Sequence, residues 1–167
     1  AQLEAMKRSR EHAIASGDIR RQIDAWLEVG GAMLIGRTPL AEVKGFGEAE
    51  IAWAREHDLP ALEADALLFG YVDGLLGDLE RGWGKLERAT SIALELGILY
   101  IVHEAHSLGA ELEVLAGDLA AAERELRRAI AVADERRSDR FVATYRLQLA
   151  RVLNEQGRHD DASVQLD

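Results

Sequence analysis

A glycine recurs at positions 77, 117 and 157, each time within a short turn-like string: Leu76-Gly77-Asp78-Leu79, Ala116-Gly117-Asp118-Leu119 and Gln156-Gly157-Arg158-His159. A period of forty residues, held twice over, marks a repeat array in which no unit can bury its apolar face alone. The surroundings of the glycines keep the same period. Five residues on comes a small residue, Gly82, Ala122 or Ala162; four beyond that a leucine, Leu86, Leu126 or Leu166; and three further Ala89 and Ala129. Seven residues before the glycines sit Gly70, Ala110 and Ala150, and one period earlier, with one residue of slippage, Gly31 and Val43 take the equivalent places.

Apolar residues fall at three- and four-residue intervals in almost every long segment, while Val, Ile and Thr are too scattered for alternating strands. Each unit is therefore read as a helical hairpin, its glycine ending the first helix in a left-handed conformation and opening a tight turn. The pattern predicts helices over 2–15, 19–35, 39–56, 60–76, 79–96, 98–116, 119–136, 140–156 and 159–167. That is an all-α superhelix of eight or nine helices in a single domain, residues 1–167. Its units run over about 19–57, 60–96, 98–136 and 140–167, preceded by an unpaired helix, 2–15. At Gly36-Arg37-Thr38-Pro39 the turn departs from the others, and Thr38 is expected to cap the next helix with Pro39 in its first turn. Because the chain opens on Ala1 and its first helix lacks a partner, it is expected to be a window on a longer array.

Composition narrows the function. There is no cysteine, which removes disulfides, thiolate metal sites and cysteine nucleophiles. The apolar run Ile98–Val102 is far short of the roughly 20 residues that span a bilayer. A net charge of −10 repels phosphate backbones, so direct nucleic-acid binding is disfavoured. A cytoplasmic setting fits these features.

The unit now has enough residues to be compared. A small residue in the first helix, a glycine at its end and Ala122-x-x-x-Leu126-x-x-Ala129 in the second resemble the tetratricopeptide repeat, over nearly the whole chain. The chain departs from that family in its period, forty residues instead of about 34, and in having leucine where aromatics are usual. Long units with a Gly36-Arg37-Thr38-Pro39 connection and a Gly117-Asp118-Leu119-Ala120-Ala121-Ala122-Glu123 ending also resemble the helical tails of large bacterial signalling proteins. That resemblance implies an attached output domain, such as a nucleotide cyclase or a transcriptional activator. No phosphate loop and no helix-turn-helix occurs in this sequence.

No catalytic constellation stands out. His103 and His106 lie three apart near Glu104 and Glu111, which could hold a divalent metal on one helix face, but a packed or hydrogen-bonded histidine is the simpler reading. Carboxylates two apart, such as Glu48/Glu50, Glu111/Glu113 and Glu123/Glu125, diverge on a helix and read as solvated faces. The basic stretch Arg124, Arg127, Arg128, Arg136, Arg137 and Arg140 is nearly cancelled by Glu123, Glu125, Asp134, Glu135 and Asp139, so pairing within helices is expected. Trp26, Trp53 and Trp83 are read as packing residues. No catalytic residue, metal or cofactor is assigned, and a hydrolytic enzyme built on His103, His106 and nearby glutamates is the minor alternative.

What remains is the inner surface of the superhelix. In the resembled family this wall comes from the first helices, which here present Glu28, Ala32 and Ile35; then Leu67, Tyr71, Gly74 and Leu75; then Glu104, Ser107, Glu111 and Val114; then Leu147, Arg151 and Asn154. The expected role is a non-catalytic interaction or regulatory module that binds a peptide, a partner helix or a small effector along this groove. Packing of the same residues against neighbouring units stays open, as does a stand-alone scaffold that self-associates. The expected partner is a protein, a peptide or a covalently attached output domain, with no membrane involved and the oligomeric state left open.

Overall fold

The computed structural model describes residues 2–135 and 137–166, with side chains other than those of Gln2, Leu3, Lys7, Leu34 and Ile35. The expected last residues of two helices, Arg136 and Asp167, and the side chain of the groove candidate Ile35 lie outside the described residues. Among the described residues the chain is all helical: α1 (Gln2–Ser16), α2 (Ile19–Ile35), α3 (Leu40–Glu56), α4 (Pro60–Leu67), α5 (Gly70–Leu75), α6 (Leu79–Leu96), α7 (Leu99–Ala116), α8 (Leu119–Glu135), α9 (Asp139–Glu155) and α10 (His159–Val164). Neighbours in sequence pack on one another along the whole chain, the geometry of an α-α superhelical solenoid.

The turns explain the period. Gly77, Gly117 and Gly157 adopt φ of 92°, 83° and 78°, the left-handed region that costs glycine nothing and a Cβ-bearing residue about 1 kcal/mol or more. The aspartate that follows starts the next helix: Asp78 accepts from the Arg81 amide at 3.1 Å and Asp118 from the Ala121 amide at 2.8 Å, a side-chain N-cap. The same device stands at Asp18, which accepts from the amides of Arg20 and Arg21. At the odd turn the expectation fails. Pro39 itself is the N-cap of α3, with no side-chain hydrogen bond, because its carbonyl already accepts from the amides of Glu42 and Val43.

Small residues let backbones approach, as the pattern requires. A Cβ on Gly70 would meet the Gly82 carbonyl oxygen at 2.8 Å, and one on Gly82 would meet the Gly70 carbonyl oxygen at 2.9 Å. Ala110 and Ala122 are buried in the same places one period later. One period earlier the buried glycine is Gly30, against Phe69 and Phe46, while Gly31 has open space around its Cα. The period is therefore kept there without slippage. Leu86 and Leu126 are buried as expected, but Leu166 is 63% exposed because α10 ends at Val164, short of the next packing layer.

One helix breaks. The segment expected as a single helix over 60–76 is α4 and α5, separated by a tightened turn in which the amides of Leu68, Phe69, Tyr71 and Val72 bond to carbonyls three residues back, the 3₁₀ pattern. Phe69 is the cause. Its ring enters the slot left by Gly30 and Gly47, where an added Cβ would meet it at 3.1 Å and 2.8 Å, and it joins Val29, Met33, Val43 and Val72 in the core. Holding that ring in the slot while Gly70 stays against Gly82 overwinds the helix between them.

Candidate functional groove

Three successive first helices, α2, α4–α5 and α7, line one cavity of about 450 Å³: Trp26, Leu27, Gly30 and Gly31, then Asp65, Leu68, Phe69 and Tyr71, then Tyr100, Glu104 and Leu108, with Glu50 reaching in from α3. The side toward the second helices is different. There Asp73, fully buried, is held by Lys44 at 2.7 Å and Lys85 at 2.6 Å, and Glu48 takes Lys85 at 2.6 Å and Arg81 at 2.7 Å. Burial alone would raise the Asp73 carboxyl, but the two ammonium groups bring it below its ordinary value. That cluster is a paired, closed network.

The cavity's carboxylates are not balanced in this way. Glu50 is 1% exposed, and its Oε1 accepts no hydrogen bond among the described residues. Burial, with the Asp65 charge adding to it and Arg10 opposing, pushes its carboxyl up to about 8. Burial also raises Asp65, against a hydrogen bond from Tyr100, and Glu104, against one from Tyr145. Burial and these acids push Tyr100 up to about 12. The Tyr145 hydroxyl donates to Glu104 Oε1 at 2.8 Å and lies 2.6 Å from His103 Nδ1, so with one hydroxyl proton it must accept from the imidazole. Burial lowers the His103 value, consistent with a neutral ring in a structural role.

Arg10 is the cation that acts on Glu50, and its guanidinium carbon lies over the Trp26 ring at 3.7 Å from the centroid. It forms no ion pair with Glu50 among the described residues. No three of the described carboxylates or histidines are placed to hold a metal ion. His106 pairs with Glu125 at 2.7 Å, and Arg127 and Arg128 pair with Glu123 and Glu125 within their own helix.

The predicted wall is split by the structure. Tyr71 and Glu104 line the cavity. Leu67 does not: it is 3% exposed, in the core with Ile51, Ala64 and Ile92, because the break after it turns its face inward. Ser107 is also buried, donating to Gln148 Oε1 at 3.0 Å. Glu28 lines a separate depression with Ser9 and His12 of α1. Leu147, Arg151 and Asn154 line another at the α9–α10 end, Leu75 is exposed, and Val114 packs on the core around Leu149 and Leu153. Glu111 is half-buried and close enough to raise the Tyr71 hydroxyl.

Residues 102–167 match the family model of the tetratricopeptide repeat-like domain. This segment is similar to a tetratricopeptide repeat-like domain. No curated protein matches the chain. The tetratricopeptide repeat-like segment begins in α7, so it contributes Glu104 and Leu108 to the cavity, and His103 and Tyr145 behind them. Domains of this type are protein-interaction modules and typically non-catalytic. Among the described residues no helix is long and apolar enough to cross a membrane.

Proposed function

We propose that the whole chain works as one repeat array, a non-catalytic interaction and regulatory module of a larger cytoplasmic bacterial signalling or transcription-regulatory protein, and that it holds a peptide segment in the concave groove. The observation that carries this reading is the cavity itself: three consecutive first helices supply Trp26, Leu27, Leu68, Phe69, Tyr71 and Tyr100 to a single concave surface. A segment bridging three units can bias the small rotations between them, and such rotations add along a solenoid.

The test is selection of short random peptides displayed on phage, followed by binding to a Leu27→Asp variant. Leu27 is 44% exposed, so the charge is tolerated by the fold. Selected peptides should lose affinity at least about tenfold, as for an anchor pocket made polar. Undiminished binding to the folded variant would overturn the reading. A second reading, self-association, is favoured by the exposed Leu147, Val164 and Leu166 at the α9–α10 end; a mass that rises with concentration in light scattering would establish it.

A further inference from the structure

We propose that the groove recognises an arginine of its peptide partner, the guanidinium lying between the aromatic walls and shared by Glu50, Asp65 and Glu104. This rests on the reading of the cavity as a peptide groove and names the chemistry of its occupant. Three observations carry it. First, the three carboxylates that line the cavity come from α3, α4 and α7, and among the described residues no lysine or arginine lines it with them. Second, Glu50 is almost wholly buried, lines the cavity, and leaves Oε1 without a partner among the described residues; a buried acceptor in that state is destabilising until a donor reaches it. Third, the network around Asp73 shows how this fold settles a buried carboxylate when the cation is its own, with ammonium nitrogens at 2.6 and 2.7 Å. In the cavity the one described cation that acts on Glu50 is Arg10, which does so from outside the lining and without an ion pair.

The walls select among cations. The acids are too dispersed for a metal ion, whereas a planar guanidinium offers five N–H donors in a fork that reaches several acceptors. Tyr71 and Tyr100, which are not buried, supply flat faces on which such a group stacks, with Trp26 and Phe69 packed behind them. The chain already uses that packing once, with Arg10 over Trp26. A net charge of −10 draws a basic segment toward the surface.

The test uses acetyl-Ala-Leu-Arg-Leu-Ala-amide and the same peptide with citrulline, which keeps the shape and removes the charge. Binding is followed by the indole N–H resonance of Trp26. The arginine peptide should bind at least about tenfold more tightly than the citrulline one, the size of one charge-assisted hydrogen bond. Asp65→Asn, and independently Glu104→Gln, should remove most of that difference while leaving the citrulline peptide unchanged. If both peptides bind alike and both are weakened by Leu27→Asp, the arginine assignment is overturned and the groove stands. The arginine assignment falls in the same way if neither binds while phage-selected peptides lacking a basic residue do. If no peptide of either kind responds to Leu27→Asp, both readings fall.

Discussion

Replacing Glu50 with glutamine isolates the energetics of the groove's most buried acid. Glutamine keeps the shape and cannot ionise, so the pH dependence of the difference between the two proteins belongs to this carboxyl and the groups it touches. In the folded chain the carboxyl holds its proton up to about 8, against an ordinary 4.5. At about 1.4 kcal/mol per pH unit, that separation corresponds to about 5 kcal/mol. The sign follows from proton binding. Below about pH 4.5 both states are protonated and the group costs nothing; between about 4.5 and 8 the folded state holds the extra proton, so stability falls as pH rises; above about 8 the full cost is present. Asp65 acts in the same sense, but it is retained in the variant. Burial and the Glu104 charge, both unchanged by the substitution, are what raise it, so its contribution largely cancels in the difference. Urea unfolding followed by far-ultraviolet circular dichroism, at closely spaced pH values, should show the two proteins nearly equal in acid. Glu50→Gln should be the more stable by several kcal/mol at alkaline pH. A difference that stays constant across this range would refute the placement of an ionisable, uncompensated carboxyl in the groove.

Further outcomes follow from packing. Phe69→Ala empties the slot between Gly30 and Gly47 and should cost about 3–5 kcal/mol in urea unfolding. Gly84→Ala, with open space at its Cβ, should stabilise the chain by up to about 1 kcal/mol, whereas Gly70→Ala, whose Cβ would meet the Gly82 carbonyl, should lose about 1–3 kcal/mol; parallel thermal melts distinguish them. Leu67→Asp should abolish the cooperative melt, and Leu27→Asp should leave it intact. Tyr145→Phe strands both His103 and Glu104 and should cost about 1–3 kcal/mol, read from the same unfolding curves.

The solenoid was legible because its rules are local. The Gly-Asp turns, the small residues at Gly70, Ala110 and Ala150 and the leucines at Leu86 and Leu126 each act within one hairpin or between adjacent ones, where spacing along the chain maps onto spacing in the fold. The groove was only partly legible. The wall rule reaches Tyr71 and Glu104, but it also puts Leu67 on the wall, because an unbroken helix phase from 60 to 76 would carry it there, whereas the helix breaks after Leu67. The slot that takes Phe69, and with it the overwound turn, depends on two glycines from two other helices, which no local pattern joins. Glu50 did leave a signal. It stands on the buried stripe of α3 with Val43, Gly47, Ile51 and Ala54, where a carboxylate has no local reason to be.

Registering the second helices on their buried stripes shows how the groove arises from departures in the repeat. The stripe of α6 is Gly82, Leu86, Ala89 and Ala93, and that of α8 is Ala122, Leu126, Ala129 and Ala133. Laid on these, α3 reads Val43, Gly47, Glu50 and Ala54, so glycine replaces the leucine and glutamate replaces an alanine that is 0% exposed in both later units. The lost leucine is made good from the facing helix: Phe69 stands where the next unit has Gly109, whose own added Cβ would lie 4.0 Å from Leu86. Large and small have exchanged helices across the same contact, which conserves volume and so keeps the core packed. The glutamate has no such exchange partner. Among the described residues none across the contact neutralises it as Lys44 and Lys85 neutralise Asp73, and the substitution opens toward the cavity that Asp65 and Glu104 also face. A departure that packing compensates and a departure that it does not therefore lie three residues apart on one helix, and the second is the one that a cation from outside the chain would complete.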